Sequence, residues 1–169
     1  RDGGDADERI GLTLTGKVHA NEVDEEMANT AQVYVDYVRA MIADGADVQI
    51  EQKFLLDSLN PPFDAGGTAD AVGYRAAERN LEVVDLKGGR GVVVAATGNK
   101  QMRTYALGAM LANPKLDVAT ITVTIVQPRA DHPDGRIRSE TFHVADLLEW
   151  TIDLVEAMYL VRLLPSWTP

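Results

Sequence analysis

The stretch Leu81-Glu82-Val83-Val84-Asp85-Leu86-Lys87-Gly88-Gly89 decides the fold. Seven residues rich in Val and Leu, stopped abruptly by two glycines, predict a short strand. Side chains alternate across a strand, so Asp85 and Lys87 share one face with Leu81 and Val83, and Glu82, Val84 and Leu86 take the other. A carboxylate and an ammonium then project from one face about 7 Å apart, at roughly 3.3 Å per residue.

Working outward, Asp70 follows Gly66-Gly67-Thr68-Ala69 and leads into Ala71-Val72-Gly73-Tyr74. That run predicts a strand entered through a glycine turn, and Asn80 with its charged neighbours marks the loop before Leu81. Two strands joined by so short a loop pair as a hairpin, bringing Asp70 beside Asp85. After the apolar run Val92 to Ala96, Thr97-Gly98-Asn99 supplies cap candidates, and good helix formers continue from Lys100 to Ala112 until Asn113-Pro114 ends them. On that helix Gln101 and Tyr105 are i, i+4 neighbours near an N-terminus that attracts anions, with Lys100 and Arg103 in the same turn.

The remaining elements are predicted from periodicity. Met27, Ala31, Val35, Val38 and Ile42 form a helical stripe, with Asp24 as N-cap and Gly45 past the C-terminus. Val48 to Leu56 predicts a strand and Asn60-Pro61-Pro62 a loop. From Asp117 to Gln127, Thr120, Thr122 and Thr124 alternate with Ile121, Val123 and Ile125, the pattern of a strand with one buried face. Val144 to Leu164 predicts a last helix that covers the sheet with Leu147, Leu148, Ile152, Val155 and Tyr159. The order helix, strand, strand, strand, helix, strand, strand, helix implies one α/β domain over residues 1 to 169, a mixed central sheet flanked by helices, with a mobile, polar segment over residues 1 to 20.

Composition narrows the function classes. The chain has 169 residues, 46% of them hydrophobic, enough to bury one core. No apolar run approaches the roughly 20 residues that cross a bilayer, so a cytoplasmic protein with no membrane partner is expected. Zero cysteines exclude disulfides and a cysteine-bound iron–sulfur cluster. His132 and His143 show no zinc-site spacing. The net charge of −10 runs against a nucleic-acid partner. Around Asp85, however, Arg75, Arg79, Lys87, Arg90, Lys100 and Arg103 outnumber Glu78, Glu82 and Asp85.

Paired carboxylates beside a lysine suit a hard cation, which takes one or two carboxylates together with waters and phosphate oxygens. An Asp/Lys pair on a half-exposed strand is the plain alternative for that motif alone. The glycine-preceded Asp70, the D-x-K of Asp85 to Lys87 and the Q-x-x-x-Y of Gln101 to Tyr105 together resemble the PD-(D/E)xK nuclease superfamily. Within it the chain is similar to the branch of the RecB and AddB nuclease domains and the CRISPR-associated adaptation nucleases. Longer stretches, Asp24 to Met27, Gln32 to Arg39, Gly67 to Ala71, Gln101 to Ala109 and Ile125-Val126-Gln127-Pro128-Arg129, resemble an uncharacterised RecB-like family common in phage and prophage genomes.

The resemblance implies a restriction-endonuclease-like core in which Asp70, Asp85 and the Leu86 carbonyl hold Mg²⁺ or Mn²⁺, with Glu51 on the first strand a further candidate. It makes Lys87 the catalytic lysine and assigns Gln101 and Tyr105 to the scissile phosphate or backbone. Lys100, Arg103, Arg90 and Arg129 become candidate DNA contacts. The implied activity is metal-dependent hydrolysis of DNA, by exonuclease action in recombination, repair or processing, with a phage or host recombination or replication protein as partner. The branch brings a His to the metal in a G-T-x-x-H motif that this sequence lacks, and His19 is a poor match. An upstream first helix that carries the His is therefore expected. A catalytically idle nuclease fold that binds DNA or protein is the rival from another class. A small-molecule enzyme on an unrelated α/β fold would need a glycine-rich phosphate loop or nucleophile motif that is absent from the sequence.

Overall fold

A computed structural model describes residues 25–89 and 92–163, so Asp24, His19, Arg90 and residues 1 to 20 lie outside the described residues. The elements are α1 (Glu25–Ala43), β1 (Asp47–Leu55), β2 (Gly66–Arg75), β3 (Asn80–Leu86), α2 (Lys100–Ala112), β4 (Thr120–Val126), β5 (Ile137–His143) and α3 (Val144–Leu163), with a 3₁₀ turn at Asp57–Leu59. They follow the order expected from the sequence. The five strands form one sheet in the order β1-β2-β3-β4-β5. All neighbours are antiparallel except β3 and β4, which run parallel through the crossover helix α2. The protein is therefore an α/β fold whose mixed central sheet is flanked by three helices, compatible with a nuclease-like core.

The two faces of β3 are those its alternation predicts. Leu81 and Val83 join the cluster beneath α2, with Phe54, Met102, Ile121 and Ile125. Val84 and Leu86 join the cluster beneath α1, with Tyr34, Val38 and Met41. The outer strands depart from simple alternation. In β1, Val48 and Ile50 pack towards α1, yet Phe54 packs towards α2. In β2, Gly73 touches Met41 of α1, while Gly67 lies under Tyr105 of α2. Even-numbered residues of β1 and odd-numbered residues of β2 thus change face partway along. The change falls at Glu51, whose φ of 53° is left-handed backbone in mid-strand.

Four expectations are corrected. Gly66 and Gly67 lie within β2, whose first residue is Gly66, so they are no turn. A Cβ on Gly66 would strike the Phe54 carbonyl and one on Gly67 the Tyr105 ring, so close packing demands glycine there. The buried stripe of α1 is Thr30, Tyr34, Val35, Val38 and Met41; Met27 and Ile42 are exposed. On α3 the buried residues are Leu147 and Met158, with Trp150 and Leu154 packed beside them, whereas Leu148, Ile152, Val155 and Tyr159 are exposed. Apart from an acidic stripe of Asp146, Glu149, Asp153 and Glu156 the helix is apolar over a broad arc, so its pattern did not single out the part that is buried. Thr124 is also fully buried, so the threonine side of β4 is covered in part.

Candidate functional site

The hairpin pairing of β2 with β3 ends at Ala71↔Val84, and one step further Asp70 faces Asp85. Beyond that point β3 keeps its pairing with β4, since the Lys87 N–H donates to the Val126 carbonyl at 2.8 Å. Towards β2 the Leu86 N–H donates to Asp70 Oδ2 at 2.6 Å, so a carboxylate replaces the backbone carbonyl at the place where the ladder stops. Across the other edge of β2, Glu51 stands opposite Asp70, between the pairs Ile50↔Ala71 and Gln52↔Ala69. Three carboxylates thus occupy one row over three adjacent strands.

Their environments differ. Asp85 is 5% exposed, and Lys87 Nζ lies 2.7 Å from its Oδ2. The ammonium is not aligned for a hydrogen bond, and Oδ2 is left buried without a donor. Asp70 is half-buried, and its pKa is raised chiefly by burial and further by the charges of Asp85 and Glu51, against the Leu86 N–H and Lys87, which lower it. From α1, Tyr34 points its hydroxyl into the same region. That hydroxyl is fully buried without a partner, and its pKa is raised by burial and then by Asp70, Glu51 and Asp85.

The α2 side is assembled by its cap. Asn99 Oδ1 accepts the Met102 N–H at 3.1 Å and starts the helix, and the Asn99 side chain also holds the Ala95 carbonyl. Gln101 then reaches Lys87, with Nζ donating to Oε1 at 3.2 Å, while Gln101 Nε2 donates to the Tyr105 hydroxyl at 2.6 Å. Asp85, Lys87, Gln101 and Tyr105 therefore form one continuous polar chain from β3 to α2. Behind it Gln127 and Arg138, both buried, hold the segment before the helix: Gln127 takes the Val94 N–H and the Val92 carbonyl, and Arg138 binds the Val94 carbonyl. Neither residue, nor Tyr34, stood out in the sequence as part of the site. Their only signal is polarity inside otherwise apolar periodic runs.

The cations fall out differently from their sequence positions. Arg103 lies 3.6 Å from Glu140 and stacks over Phe142, apart from the Lys87–Gln101–Tyr105 chain. Arg129 binds Glu26 through Nε at 3.0 Å and the Gly88 carbonyl through Nη1. Lys100 is exposed at the start of α2. Arg75 is bound to Glu82 on the α1 face, and Arg79 pairs with Asp117 by the β2–β3 turn, at the far end of the hairpin. The local positive excess counted along the sequence is thus dispersed in space.

Among the described residues no group of three or more His, Asp or Glu side chains converges on a point where a metal ion could sit. Two adjacent carboxylates, one with an undonated buried oxygen, still fit a hard cation that completes its shell with water and phosphate oxygens. No helix in the described residues is long and apolar enough to cross a membrane. No solved structure matches the chain. A family model described as "Protein of unknown function (DUF2800)" matches residues 6–159, nearly the whole chain, and the protein belongs to that family.

Proposed function

We propose that the protein is a metal-dependent nuclease of the PD-(D/E)xK type, RecB-like, that hydrolyses phosphodiesters of DNA in recombination, repair or processing, with exonuclease action. The observation that carries this reading is the polar chain Asp85–Lys87–Gln101–Tyr105 beside Asp70, with the buried Asp85 carboxylate ion-paired to Lys87. Asp70 and Asp85 would hold Mg²⁺ or Mn²⁺ with the Leu86 carbonyl. Such an ion supplies a more acidic bound water and charge stabilisation at the phosphate.

The chain's own groups complete the chemistry. Lys87, 27% exposed and steadied by Asp85 and Gln101, is placed to orient the attacking water or take its proton. Gln101 and Tyr105, exposed and half-buried respectively, form a hydrogen-bonded ledge at the helix start where a phosphate oxygen can be aligned for in-line attack. A catalytically idle nuclease fold is favoured by one observation, the absence of a third converging ligand among the described residues.

Incubation with linear and circular DNA in Mg²⁺, Mn²⁺ or EDTA, beside Asp85→Ala and Lys87→Ala, separates the two. Metal-dependent loss of linear DNA that both variants abolish supports the nuclease. Equal degradation by parent and variants would mark a contaminant and sink the assignment, and no degradation in any metal would favour the idle fold.

A further inference from the structure

α1 begins at the same end of the sheet as Asp85, and the β4–β5 turn closes over that end. Two adjoining cavities share Pro128, Arg129 and Arg136: one of about 400 Å³ lies between α1 and the turn, and one of about 390 Å³ is lined by the turn alone. The first is completed by Glu26, Asn29, Thr30 and Gln32 from α1, the second by Asp131, His132 and Gly135. The guanidinium of Arg129 is fixed by Glu26 and the Gly88 carbonyl, one residue beyond Lys87, which ties this recess to the proposed site. Arg136 is different: it is exposed, lines both cavities and pairs with no carboxylate among the described residues. In a chain of net charge −10, an arginine with no carboxylate partner beside a fixed one, with the Asn29 amide across the recess, leaves two guanidinium groups against the single carboxylate of Glu26 in the cavity beside α1, a local positive excess.

We propose that this recess between α1 and the β4–β5 turn is a phosphate-binding pocket, which holds a backbone phosphate of the DNA strand whose neighbouring phosphate lies at Asp85 and Lys87. The proposal rests on the nuclease reading. Arg136 makes the charged contact, and Arg129, held by Glu26, sets the pocket's floor against Gly88. The planar guanidinium of Arg136 can give two parallel N–H donors to one phosphate, with the Asn29 amide on the opposite wall, while the Gln32 amide is held by Asp36. The pocket would offset the acidic surface by concentrating positive charge on one path rather than over the whole face.

The test measures binding of a fluorescein-labelled DNA duplex to the Asp85→Asn protein, in Ca²⁺ so that no cleavage intervenes, across a series of salt concentrations. Adding Arg136→Ala is expected to weaken binding several-fold and to reduce the slope of log K against log salt by about 0.9, the value for one lost phosphate contact. Arg79→Ala, at the opposite end of the hairpin, should leave both unchanged. Arg136→Lys should restore much of the salt slope and less of the affinity.

DNA binding with an unaltered slope in Arg136→Ala would overturn the pocket while leaving the nuclease reading standing. If Arg136→Ala abolishes inorganic phosphate binding in calorimetry but leaves DNA affinity untouched, the recess is a free-anion site and the proposal fails. No DNA binding by the Asp85→Asn protein at any salt would remove both.

Discussion

Strand β3 carries two buried carboxylates on opposite faces, and they are held in opposite ways. Glu82, 3% exposed, accepts from Arg75 at 2.8 Å, from the Tyr37 hydroxyl at 2.5 Å and from Thr124 at 2.8 Å. Its neighbours are bound in turn, since Thr124 also meets Ser139. Burial works against the Arg75 charge, but Glu82 outweighs it and keeps the guanidinium's pKa raised. Tyr37, by burial and then by Glu82, is pushed up to about 12 and remains a donor at any ordinary pH. Asp85, three residues on, has one lysine ammonium 2.7 Å from Oδ2, not aligned for a hydrogen bond, and a second carboxylate close by. One carboxylate has its valences filled by the fold and the other has capacity left over. Leftover capacity in a buried group is costly unless something else fills it, and that is why the proposed function rests on Asp85 and not on Glu82.

The sharpest way to break this contrast is to neutralise each carboxylate in turn and measure unfolding in urea with EDTA present. Glu82→Gln should cost about 3 kcal/mol, because it strands a buried guanidinium whose partner has lost its charge. Asp85→Asn should cost little or even stabilise, because it removes a charge that Asp70 feels as repulsion. Metal-dependent DNA cleavage should respond the other way, falling on the order of 10³-fold for Asp85→Asn. If Asp85→Asn destabilises as much as Glu82→Gln, the distinction between the two is lost.

A smaller effect tests the α2 half of the site. Gly67→Ala puts a methyl group where the Tyr105 ring stands, and the ring must move. We expect a loss of about 1–2 kcal/mol from overpacking and a drop in cleavage of about tenfold from misalignment of the Gln101–Tyr105 ledge. Unchanged activity together with a shifted Tyr105 in a crystal structure would remove Tyr105 from the proposed machinery. The helix cap gives a weaker handle on the same region. Asn99→Ala should cost about 1 kcal/mol, read as a lower melting temperature, because the Met102 N–H loses its acceptor.

These residues also show how far sequence reasoning reaches. The faces of β3 and the limits of α2 follow from local rules, alternation in one case and a cap with a proline stop in the other, so both were legible. Asp70 opposite Asp85 was legible because a short loop leaves adjacent strands little choice. Gly66 and Gly67 were misread because the sequence marks a glycine without saying whether a turn or a neighbour requires it. The neighbour here, Tyr105, is 38 positions from Gly67 in the chain, and only the fold brings them together. The same holds for charge: Arg103 and Arg79 sit near Asp85 in sequence but pair with Glu140 and Asp117 through contacts no window could reveal. The row of Glu51, Asp70 and Asp85 needed the strand order, and the buried hydroxyl of Tyr34 needed the rotation of α1, which its apolar pattern placed one residue away.

Asp70 provides the finest test, through the pH dependence of stability in EDTA. Its folded pKa is raised, first by burial and then by its acidic neighbours, so the unfolded chain ionises it more readily than the fold does. A raised folded pKa means that the group's stabilising contribution is complete below the ordinary carboxylate pKa and is lost as pH rises through the folded value. Asp70→Asn keeps an oxygen acceptor for the Leu86 N–H and removes the charge, so at neutral pH it should melt above the parent. The gap should close as pH falls below the ordinary carboxylate range, where both proteins carry a neutral side chain. Adding Mn²⁺ at neutral pH should reverse the order, since a cation binds the ionised parent and finds a weaker ligand in the variant. A melting gap that ignores both pH and Mn²⁺ would mean that Asp70 carries no electrostatic strain, and Asp85 and Glu82 would then differ only in their hydrogen bonds.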